Sequence, residues 1–258
     1  MQDQLLRLLI SPFPPDSIFR RVGKRLVCGM VVKQKYYEGV IYFDAVSQSW
    51  AFKGRPYETI DTQLKDELLA LSRDCRHFID IGCNIGLISL SILLRNRDIK
   101  VVCVDPNAQV LRLLKKSLRA NRLEPRVVIK NAAVGNEAGV VRFTSEISEM
   151  GHISHDGYAV NCLRLADLVN EYSSQQCLVK IDVEGYETVL LQKLDQFRNL
   201  PNVRLAVELH ALGYNQGDPA KCVKLLRQSG ATLRLLDGLP ASDIDPSRGA
   251  QVFARWNP

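Results

Sequence analysis

The sequence predicts an α/β protein whose core is a doubly wound, mostly parallel β-sheet with a small N-terminal β/α cap. From about residue 75 onward, short runs rich in valine, isoleucine and leucine alternate with segments of helical periodicity. This alternation is typical of β–α–β units, in which helices cover both faces of a parallel sheet. With 258 residues, of which 46% are hydrophobic and 24% charged, the chain is long enough to bury a full core.

The core elements are predicted in order from the hydrophobic runs and the residues that flank them. Strands are expected at HFIDI (77–81), KVVCV (100–104), RVVIK (126–130), CLVKIDV (177–183), VRLAVEL (203–209), TLRLL (232–236) and QVFARW (251–256), with an additional one at AGVVRF (138–143). Helices are expected at LISLSILLR (87–95), 106–121, CLRLADLVNEY (162–172), YETVLLQKLDQF (186–197) and 219–229. Pro106 and Pro219 suit a first helical turn, where the missing N–H has no partner to lose. Asp218 and Gly230 are typical of the two ends of the last helix.

Residues 1–70 are predicted to form a separate cap over a main domain of residues 71–258. The segments KRLVCGMVV (24–32), GVIYFDA (39–45) and SWAFKG (49–54) have the pattern of short antiparallel strands. An amphipathic helix follows, with apolar residues at Leu64, Leu68, Leu69 and Leu71. The spacing of these leucines places them on one face of the helix, which we expect to pack on the main domain.

Composition excludes several classes of protein. The 34 basic and 28 acidic residues give a net charge of +6, which is too weakly basic for a nucleic-acid-binding protein. No apolar run reaches the roughly 18 residues of a membrane span, and the start MQDQLLRLLISPFPP does not resemble a signal peptide. The seven cysteines are scattered without a C-x-x-C pair, which disfavours zinc and a disulfide framework. We therefore expect a cytoplasmic protein without membrane insertion or a nucleic-acid partner, of undetermined oligomeric state.

The loop after the first core strand carries the pattern D-x-G-x-N-x-G, at Asp80, Gly82, Asn84 and Gly86. In doubly wound sheets, ligands bind beyond the carboxyl ends of the strands where the strand order reverses, so this bend is the first place to expect one. A dinucleotide site needs G-x-G-x-x-G so that the backbone can approach a pyrophosphate. Asn84 and Leu87 occupy the second and third glycine positions and would obstruct that ligand. The bend suits a ligand without phosphates, and S-adenosylmethionine is such a ligand.

Two further loops offer groups to the nucleoside of that ligand. The second strand is followed by Asp105, 19 residues after Gly86, where a carboxylate can accept hydrogen bonds from both ribose hydroxyls. After the third strand, Asn131 and the backbone of Ala132 can meet the adenine edge. Each feature has a plain alternative, since the glycines could serve a tight turn, Asp105 could cap a helix and Asn131 could be a turn residue. Together and in strand order they favour S-adenosylmethionine, although an acid after the second strand also fits a nicotinamide cofactor.

Several motifs together resemble the FkbM family of S-adenosylmethionine-dependent methyltransferases. They are FIDIGCNIG (78–86), VDPNAQVLRLLKKSLRANRL (104–123), NAAVGNEAG (131–139), CLRLADL (162–168), LVKIDVEGYETVLLQ (178–192) and VELH (207–210). The resemblance covers roughly residues 75–212, and KIDVEGYE (180–187) is its most specific part. It implies the class I methyltransferase fold and methyl transfer to an oxygen, often on a sugar or a natural-product hydroxyl. Cys83, where the family usually has alanine or another small residue, is a mild departure.

Four proton-handling residues stand at the exits of two strands that are expected to be neighbours, namely Asp182, Glu184, Glu208 and His210. Methyl transfer from a sulfonium is an in-line displacement, and a hydroxyl acceptor must also lose its proton. The i, i+2 spacing within each pair would direct both side chains to one face of an extended strand. Crowded carboxylates raise each other's pKa, and imidazole titrates near neutral pH. We predict Asp182 as the first candidate for the base and His210 as the second, with Glu184 and Glu208 orienting the acceptor or the base.

Other roles for these residues stay open on sequence grounds. The same cluster could hold a divalent cation that lowers the pKa of the acceptor, although no ligand loop commits the chain to a metal. His210 could instead end a strand in the core, and Glu184 could be a helix N-terminal acid favoured by the dipole. Lys180 could pair with these acids inside the sheet or contact the substrate.

Two flanking segments could complete the pocket. His152 and His155, in EMGHISHDG (149–157), lie in a long loop that could be either a lid or a plain solvent-exposed loop. Tyr57 and Glu58, just before the cap helix, could reach the ammonium of the methyl donor.

The sequence thus predicts an O-methyltransferase that acts on a small polyhydroxylated acceptor such as a sugar, glycolipid or secondary metabolite. A nucleic-acid methyltransferase fits less well, because DVEGYE (182–187) puts acids where phosphates would approach. The main alternative is an S-adenosylmethionine-binding scaffold or regulator without catalysis, and a nicotinamide oxidoreductase is a further rival. The cluster of acids and histidine favours the enzyme, because binding alone does not require it.

Overall fold

From residue 77 onward, strands and helices alternate along the chain except for a run of strands between residues 127 and 164 and the last two strands. The computed structural model describes residues 30–44, 56–144, 152–153, 156–212, 215–238, 241, 244–245 and 247–256. Its strands are β1 (Val31–Tyr36), β2 (Gly39–Asp44), β3 (His77–Ile81), β4 (Lys100–Val104), β5 (Val127–Lys130), β6 (Ala133–Gly135), β7 (Gly139–Thr144), β8 (His152–Ile153), β9 (Tyr158–Arg164), β10 (Cys177–Ile181), β11 (Val203–Leu209), β12 (Thr232–Leu235) and β13 (Ala250–Arg255). Its α-helices are α1 (Thr62–Leu71), α2 (Leu87–Arg95), α3 (Ala108–Ala120), α4 (Leu165–Asn170), α5 (Glu187–Leu190) and α6 (Pro219–Gln228).

The central sheet has seven strands in the order β12–β13–β11–β10–β3–β4–β5. Strand β10 pairs in parallel with β3 and β11, β4 pairs in parallel with β3 and β5, and β13 runs antiparallel to β11 and β12. The chain therefore builds outward from β3 to β5 on one side and from β10 onward on the other. This order, with β13 antiparallel, is that of the class I methyltransferase fold and confirms the predicted fold class.

Two apolar cores cover the two faces of this sheet. Because side chains alternate along a strand, Phe78 of β3 belongs to one core and Ile79 to the other. Helices α1, α2 and α3 and the strands β1 and β2 contribute to the first core, whereas α4, α5 and α6 contribute to the second. With both faces covered, the loops at the carboxyl ends of the strands are the place where polar side chains can converge.

Strands β1 and β2 form an antiparallel hairpin that packs on α3. Asn121 accepts the Val40 N–H at 2.9 Å and donates to the Val40 carbonyl at 2.6 Å, and Ser117 Oγ accepts the Tyr42 N–H at 2.9 Å. These bonds satisfy backbone groups of β2 that a two-stranded sheet would leave to water. Hairpin side chains such as Val32 and Ile41 share the first core with the sheet. The division of the chain at residue 70 stays a prediction.

The predicted strands of the cap are only partly covered by the structure. The segment predicted at 24–32 contributes Val31 and Val32 to β1, but the strand continues to Tyr36, beyond the predicted end. The segment predicted at 39–45 is confirmed as β2, and the one at 49–54 lies outside the described residues. Among the described helices, none has the length and apolar character needed to cross a membrane.

Three predicted helix boundaries are wrong. Pro106 precedes α3 rather than lying in its first turn, because Asn107 is the N-cap and accepts the Gln109 N–H at 2.9 Å. Residues 162–164 end strand β9, and α4 begins only at Leu165. The helix predicted at 186–197 is the single turn α5 followed by a 3₁₀ segment, Leu191–Asn199. Strand β9 pairs with β6 and β7 in a second sheet, and this tertiary pairing overrides the local helical pattern. The extra strand predicted at 138–143 is confirmed as β7.

Candidate active site

The bend between β3 and α2 contains three residues of positive φ. These are Gly82 (φ 77°), Asn84 (φ 50°) and Gly86 (φ 83°). A Cβ on Gly82 would lie 1.7 Å from the carbonyl oxygen of Asp182, and a Cβ on Gly86 would lie 2.4 Å from Leu114 Cδ1. Gly82 is thus required by its positive φ and by the neighbouring backbone oxygen, whereas Gly86 is favoured chiefly by its positive φ, because the Leu114 side chain can move. The bend lies directly against the loop that follows β10.

Asp105 follows β4 and faces the same bend. Its Oδ2 accepts the Asn84 N–H and its Oδ1 accepts the Asn107 N–H, both at 2.8 Å. Burial raises the pKa of Asp105 to about 6, against the two backbone N–H groups, which lower it, and with help from the negative charges of Asp80 and Asp182. Each carboxylate oxygen keeps lone-pair capacity beyond its one backbone donor.

A cleft connects Asp105 with the loop after β10. Its lining includes Gly82, Asn84, Asp105, Ala132, Phe143, Ile153, Asp182, Glu184 and Tyr186. Of the two predicted adenine contacts, Ala132 lines the cleft, but its N–H donates to the Asp105 carbonyl at 3.2 Å. Asn131 does not line it and donates to the carbonyls of Asp105 and Pro106, both at 3.0 Å. Asn131 therefore holds the turn after β5 in this structure, and its contact with a cofactor stays a prediction.

Lys180 is a buried cation in the middle of the sheet. The β3–β10 register sets it opposite Asp80, and its Nζ lies 3.0 Å from Asp182 Oδ2 and 3.7 Å from Asp80 Oδ1. Burial lowers the pKa of Lys180, but the charges of Asp182, Asp80 and Glu208 outweigh it and hold that pKa above its usual value. Lys180 is thus the strand lysine that pairs with the acids, one of its two predicted roles. Ser89 Oγ donates to Asp80 Oδ2 at 2.6 Å, so Asp80 interacts with Ser89 of α2 and with Lys180 of β10.

The structure brings Asp182, Glu184, Glu208 and His210 to one edge of the sheet, at the carboxyl ends of β10 and β11. His210 Nε2 lies 3.4 Å from Glu184 Oε2 and 3.9 Å from Asp182 Oδ1. The predicted reason for this convergence is wrong for the first pair, since β10 ends at Ile181 and Glu184 has a φ of 53°. A left-handed turn, not strand alternation, returns Glu184 toward His210.

Glu187 is a site residue that the sequence reasoning missed. It is buried, and its Oε1 accepts the Val183 N–H at 2.9 Å and the Gly185 N–H at 3.3 Å. The same oxygen lies 3.1 Å from His210 Nδ1. The signal was present as the last residue of KIDVEGYE, but its partner lies 23 residues away in sequence.

The neighbouring charges shift the pKa values of His210 and Glu208. Burial lowers the pKa of His210, but its hydrogen bond to Glu187 and the charges of Glu187, Asp182 and Glu184 raise it to about 9. The negative charge of Asp182, together with burial, raises the pKa of Glu208 to about 7, against Lys180 and His210. Without a bound ligand, His210 is therefore an imidazolium at neutral pH.

A second cleft opens beside the bend. It shares Gly82, Asn84, Asp182 and Glu184 with the first cleft, and Tyr57 and Asp61 line its far wall. The contact of Tyr57 with the ammonium of the methyl donor stays a prediction. Glu58 instead faces the hairpin, because its Oε1 accepts the Tyr37 N–H at 2.5 Å.

The predicted histidine lid is only partly within the structure. His155 lies outside the described residues, and His152 is described by its backbone alone, in β8. Its neighbour Ile153 lines the first cleft. The lid stays a prediction.

Comparison with known protein families gives one match. Residues 62–141, from α1 into β7, match the family model described as the methyltransferase small domain. This segment contains the bend at Gly82 and the carboxylate of Asp105. No curated protein matches the chain.

Several solved structures are similar to this chain. One is an O-methyltransferase family protein from Burkholderia thailandensis, at 12% identity and a TM-score of 0.47, over 83% of this chain and 60% of that one. A second is M. jannaschii TYW2 in complex with AdoMet, at 11% identity and a TM-score of 0.48, over 87% and 85%. A third is the N,N-8-amino-8-demethyl-D-riboflavin dimethyltransferase RosA from Streptomyces davawensis, at 15% identity and a TM-score of 0.45, over 81% and 58%. The chain thus spans 60% of the first protein's length, and the fold assignment rests on the strand order given above.

Proposed function

We propose that this chain is an S-adenosylmethionine-dependent O-methyltransferase that methylates a hydroxyl of a small polyhydroxylated acceptor, such as a sugar, glycolipid or secondary metabolite. One observation carries the proposal. The cleft that contains Asp105 and the glycine bend ends at the carboxylates of Asp182 and Glu184. A nucleoside held at Asp105 therefore points its reactive end toward groups that can take a proton.

The residues of the first cleft fit S-adenosylmethionine, which has no phosphate groups and so needs no phosphate-binding loop. The two oxygens of Asp105 are spaced to accept the two ribose hydroxyls while keeping their backbone donors. The bend offers an uncharged backbone surface for the amino-acid tail, which can extend toward the second cleft. Asn84 stands where a dinucleotide motif has its second glycine, and a side chain at that position hinders the approach of the backbone to a pyrophosphate, which argues against the nicotinamide alternative.

The Asp105→Asn variant tests the cofactor part of the proposal. We expect the affinity for S-adenosylmethionine to fall about 10- to 100-fold, because hydrogen bonds to a charged acceptor contribute roughly 1.5–3 kcal/mol. Isothermal titration calorimetry measures this change, with thermal unfolding as a check that the variant is folded. Glu124→Gln, an exposed change next to Arg119 at the opposite edge of the sheet, serves as the control. Equal affinities for Asp105→Asn and wild type would remove Asp105 from the cofactor site.

Cofactor affinity should also depend on pH through Asp105. Above its pKa of about 6 the carboxylate accepts both ribose hydroxyls, whereas below it the protonated acid loses acceptor capacity. We expect the dissociation constant to rise by up to about tenfold for each pH unit below this value. Calorimetry between about pH 5 and pH 8 measures this slope, and the Asp105→Asn profile should be flatter. Identical profiles for the two proteins would contradict the assignment.

Asp182 is the residue best placed to receive the acceptor's proton. It lines both clefts, whereas His210 lines a separate groove with Glu208 and Gln251. S-adenosylmethionine would supply the methyl group: the acceptor oxygen would attack the methyl carbon in line, and the sulfur would leave with the electron pair of the broken S–C bond. Asp182 then takes the hydroxyl proton while Lys180 holds its Oδ2. His210 and Glu184 border the reacting region and can orient further hydroxyls.

The chemistry of the acceptor follows from the charge at the mouth of the cleft. Asp61, Asp182 and Glu184 contribute carboxylates to the cleft beside the bend, and Glu208 lies with His210 in the neighbouring groove. Carboxylates accept hydrogen bonds from hydroxyls and repel phosphates, which favours a polyhydroxylated acceptor over a nucleic acid. The FkbM-like motifs support the same class. A cytoplasmic location rests on the cysteine pattern alone.

Transfer of a labelled methyl group tests the proposed reaction. The purified protein is incubated with labelled S-adenosylmethionine and separate pools of sugars, glycolipids, polyhydroxylated metabolites, protein and nucleic acid. We expect a labelled methyl ether in one of the small-molecule pools, identified by mass spectrometry. Label only in protein or nucleic acid would exclude the small hydroxylated acceptor. Cofactor binding without label in any pool would favour the non-catalytic scaffold.

A further inference from the structure

We propose that Asp182, Glu184 and His210 form a binding site for one divalent metal ion of the Mn²⁺ type, in which Glu187 acts as a positioning residue. The three side chains come from two loops that follow neighbouring strands, β10 and β11. Metal binding depends on the geometry and charge of these side chains and is independent of the proposed methyltransferase function. The ion's part in catalysis rests on the proposed methyltransferase function.

The ligand atoms have the spacing of a coordination sphere. One nitrogen and two carboxylate oxygens, one from each residue, all lie within 4.8 Å of one another. His210 Nε2 lies 3.4 Å from Glu184 Oε2 and 3.9 Å from Asp182 Oδ1. Around an octahedral ion with bonds of about 2.1 Å, adjacent ligands lie about 3.0 Å apart and opposite ones about 4.2 Å. Both distances fall in this interval, so a small inward movement of the side chains suffices.

Glu187 supplies the outer partner that metal-bound histidines usually have. Its carboxylate Oε1 lies 3.1 Å from His210 Nδ1 and is itself held by two backbone N–H groups. With Nδ1–H donated to Glu187, a cation would displace the Nε2 proton of the imidazolium, and the Nε2 lone pair would then face the ion between Asp182 and Glu184. The carboxylate of Glu187 is buried and its Oε2 lacks a hydrogen-bond partner among the described residues. This arrangement fixes both the tautomer and the orientation of the ring.

Charge and access also suit a cation. The carboxylates of Asp182, Glu184 and Glu187 surround one imidazole, and Lys180 neutralises Asp182 only on the side of Oδ2. A divalent ion between Oδ1 and Nε2 would balance this excess negative charge. Asp182 and Glu184 line both clefts, so further coordination positions would open toward the acceptor. A set of two carboxylates and one imidazole suits Mn²⁺ and similar first-row ions.

The ion is expected to bind the hydroxyl of the acceptor that receives the methyl group. A hydroxyl oxygen bound to a divalent cation has a lowered pKa, which makes its proton easier to remove. The oxygen then forms its bond to the methyl carbon, the sulfur keeps the electron pair of the broken S–C bond, and the proton passes to a carboxylate of the cluster. A polyhydroxylated acceptor could offer two neighbouring hydroxyls to the same ion.

Titration with Mn²⁺ tests the site. Metal-free full-length protein is titrated with MnCl₂ and followed by calorimetry and by the electron paramagnetic resonance signal of free Mn²⁺. We expect one site per chain, with a dissociation constant between about 1 and 100 μM. Asp182→Asn, Glu184→Gln and His210→Ala should each weaken binding at least tenfold, and Glu187→Gln about 10- to 100-fold. Glu124→Gln, remote from the site, should bind as wild type does.

Either of two results would overturn the proposal. One is the absence of a saturable site below about 1 mM Mn²⁺, and the other is wild-type affinity in the three ligand variants. Circular dichroism checks that each variant is folded, and Glu184→Gln, whose side chain is 28% exposed, is the variant least dependent on core packing. Wild-type affinity in Glu187→Gln would remove the positioning role. Titrating the same metal-free protein with S-adenosylmethionine separates the two proposals, since the cofactor should bind whether or not Mn²⁺ does.

Discussion

The Asp182→Asn variant is expected to lose methyl transfer by about 100- to 10,000-fold, the usual contribution of a general base. Affinity for S-adenosylmethionine should change less than about threefold, because asparagine has the same shape as aspartate. Its amide oxygen can still accept the hydrogen bond from Lys180 Nζ, which lies 3.0 Å from Asp182 Oδ2 in the wild-type protein. Labelled-methyl transfer gives the rate, and calorimetry gives the cofactor affinity.

The controls for this variant separate catalysis from structure. Asp182 also balances the buried charge of Lys180, so the free energy of unfolding must be measured alongside the rate. Glu124→Gln should retain the wild-type rate, as its carboxylate pairs only with exposed Arg119 at the far edge of the sheet. If Asp182→Asn is folded, binds cofactor and turns over at the wild-type rate, another group takes the proton.

The Gly82→Ala variant is expected to lower the free energy of unfolding by about 3 kcal/mol or more. The new Cβ would lie 1.7 Å from the Asp182 carbonyl oxygen, which belongs to backbone and cannot rotate away. Overpacking of this kind costs about 1–3 kcal/mol, and a left-handed conformation adds roughly 1–2 kcal/mol for a residue with a Cβ. Relief of the clash would displace the loop after β10, so turnover should fall as well. Urea denaturation measures the stability change.

Gly230→Ala is the matched comparison. Gly230 has a φ of 85°, close to the 77° of Gly82, but a Cβ there would meet nothing within 4 Å. It follows the end of α6, where glycine is favoured for its backbone conformation alone. We expect a loss of about 1 kcal/mol. Similar losses in the two variants would mean that contact with the β10 loop contributes nothing at Gly82.

Local patterns were sufficient for much of the fold and for half of the site. The strands at 77–81 and 100–104 were predicted with the boundaries that the structure gives, since buried parallel strands are short and continuously apolar. The bend at Gly82 and Gly86 was predictable because glycine adopts a positive φ without a steric penalty. Asp105 could be identified because its position at the end of the second strand is a matter of counting along the chain.

Contacts between distant elements could not be predicted in this way. The hydrogen bonds of Asn121 to Val40 join residues 81 positions apart, and β9 became a strand because β6 and β7 pair with it. The role of Glu187 depends on His210, which a neighbouring strand delivers. Glu184 reaches the cluster through a left-handed turn that no periodicity encodes.

By itself, then, the sequence determined the strand–helix alternation, the glycine bend after β3 and the position of a carboxylate after β4, because each depends on residues close together in the chain. Only the tertiary structure decided that Lys180 lies between Asp80 and Asp182, and that Glu187 orients His210 toward two carboxylates. Those arrangements depend on which strands become neighbours, because the strand order reverses where β10 pairs with β3 on the side opposite β4. Strand order is set by the packing of the whole chain. The charged groups that this order brings together at the carboxyl ends of β10 and β11 then shift one another's pKa values.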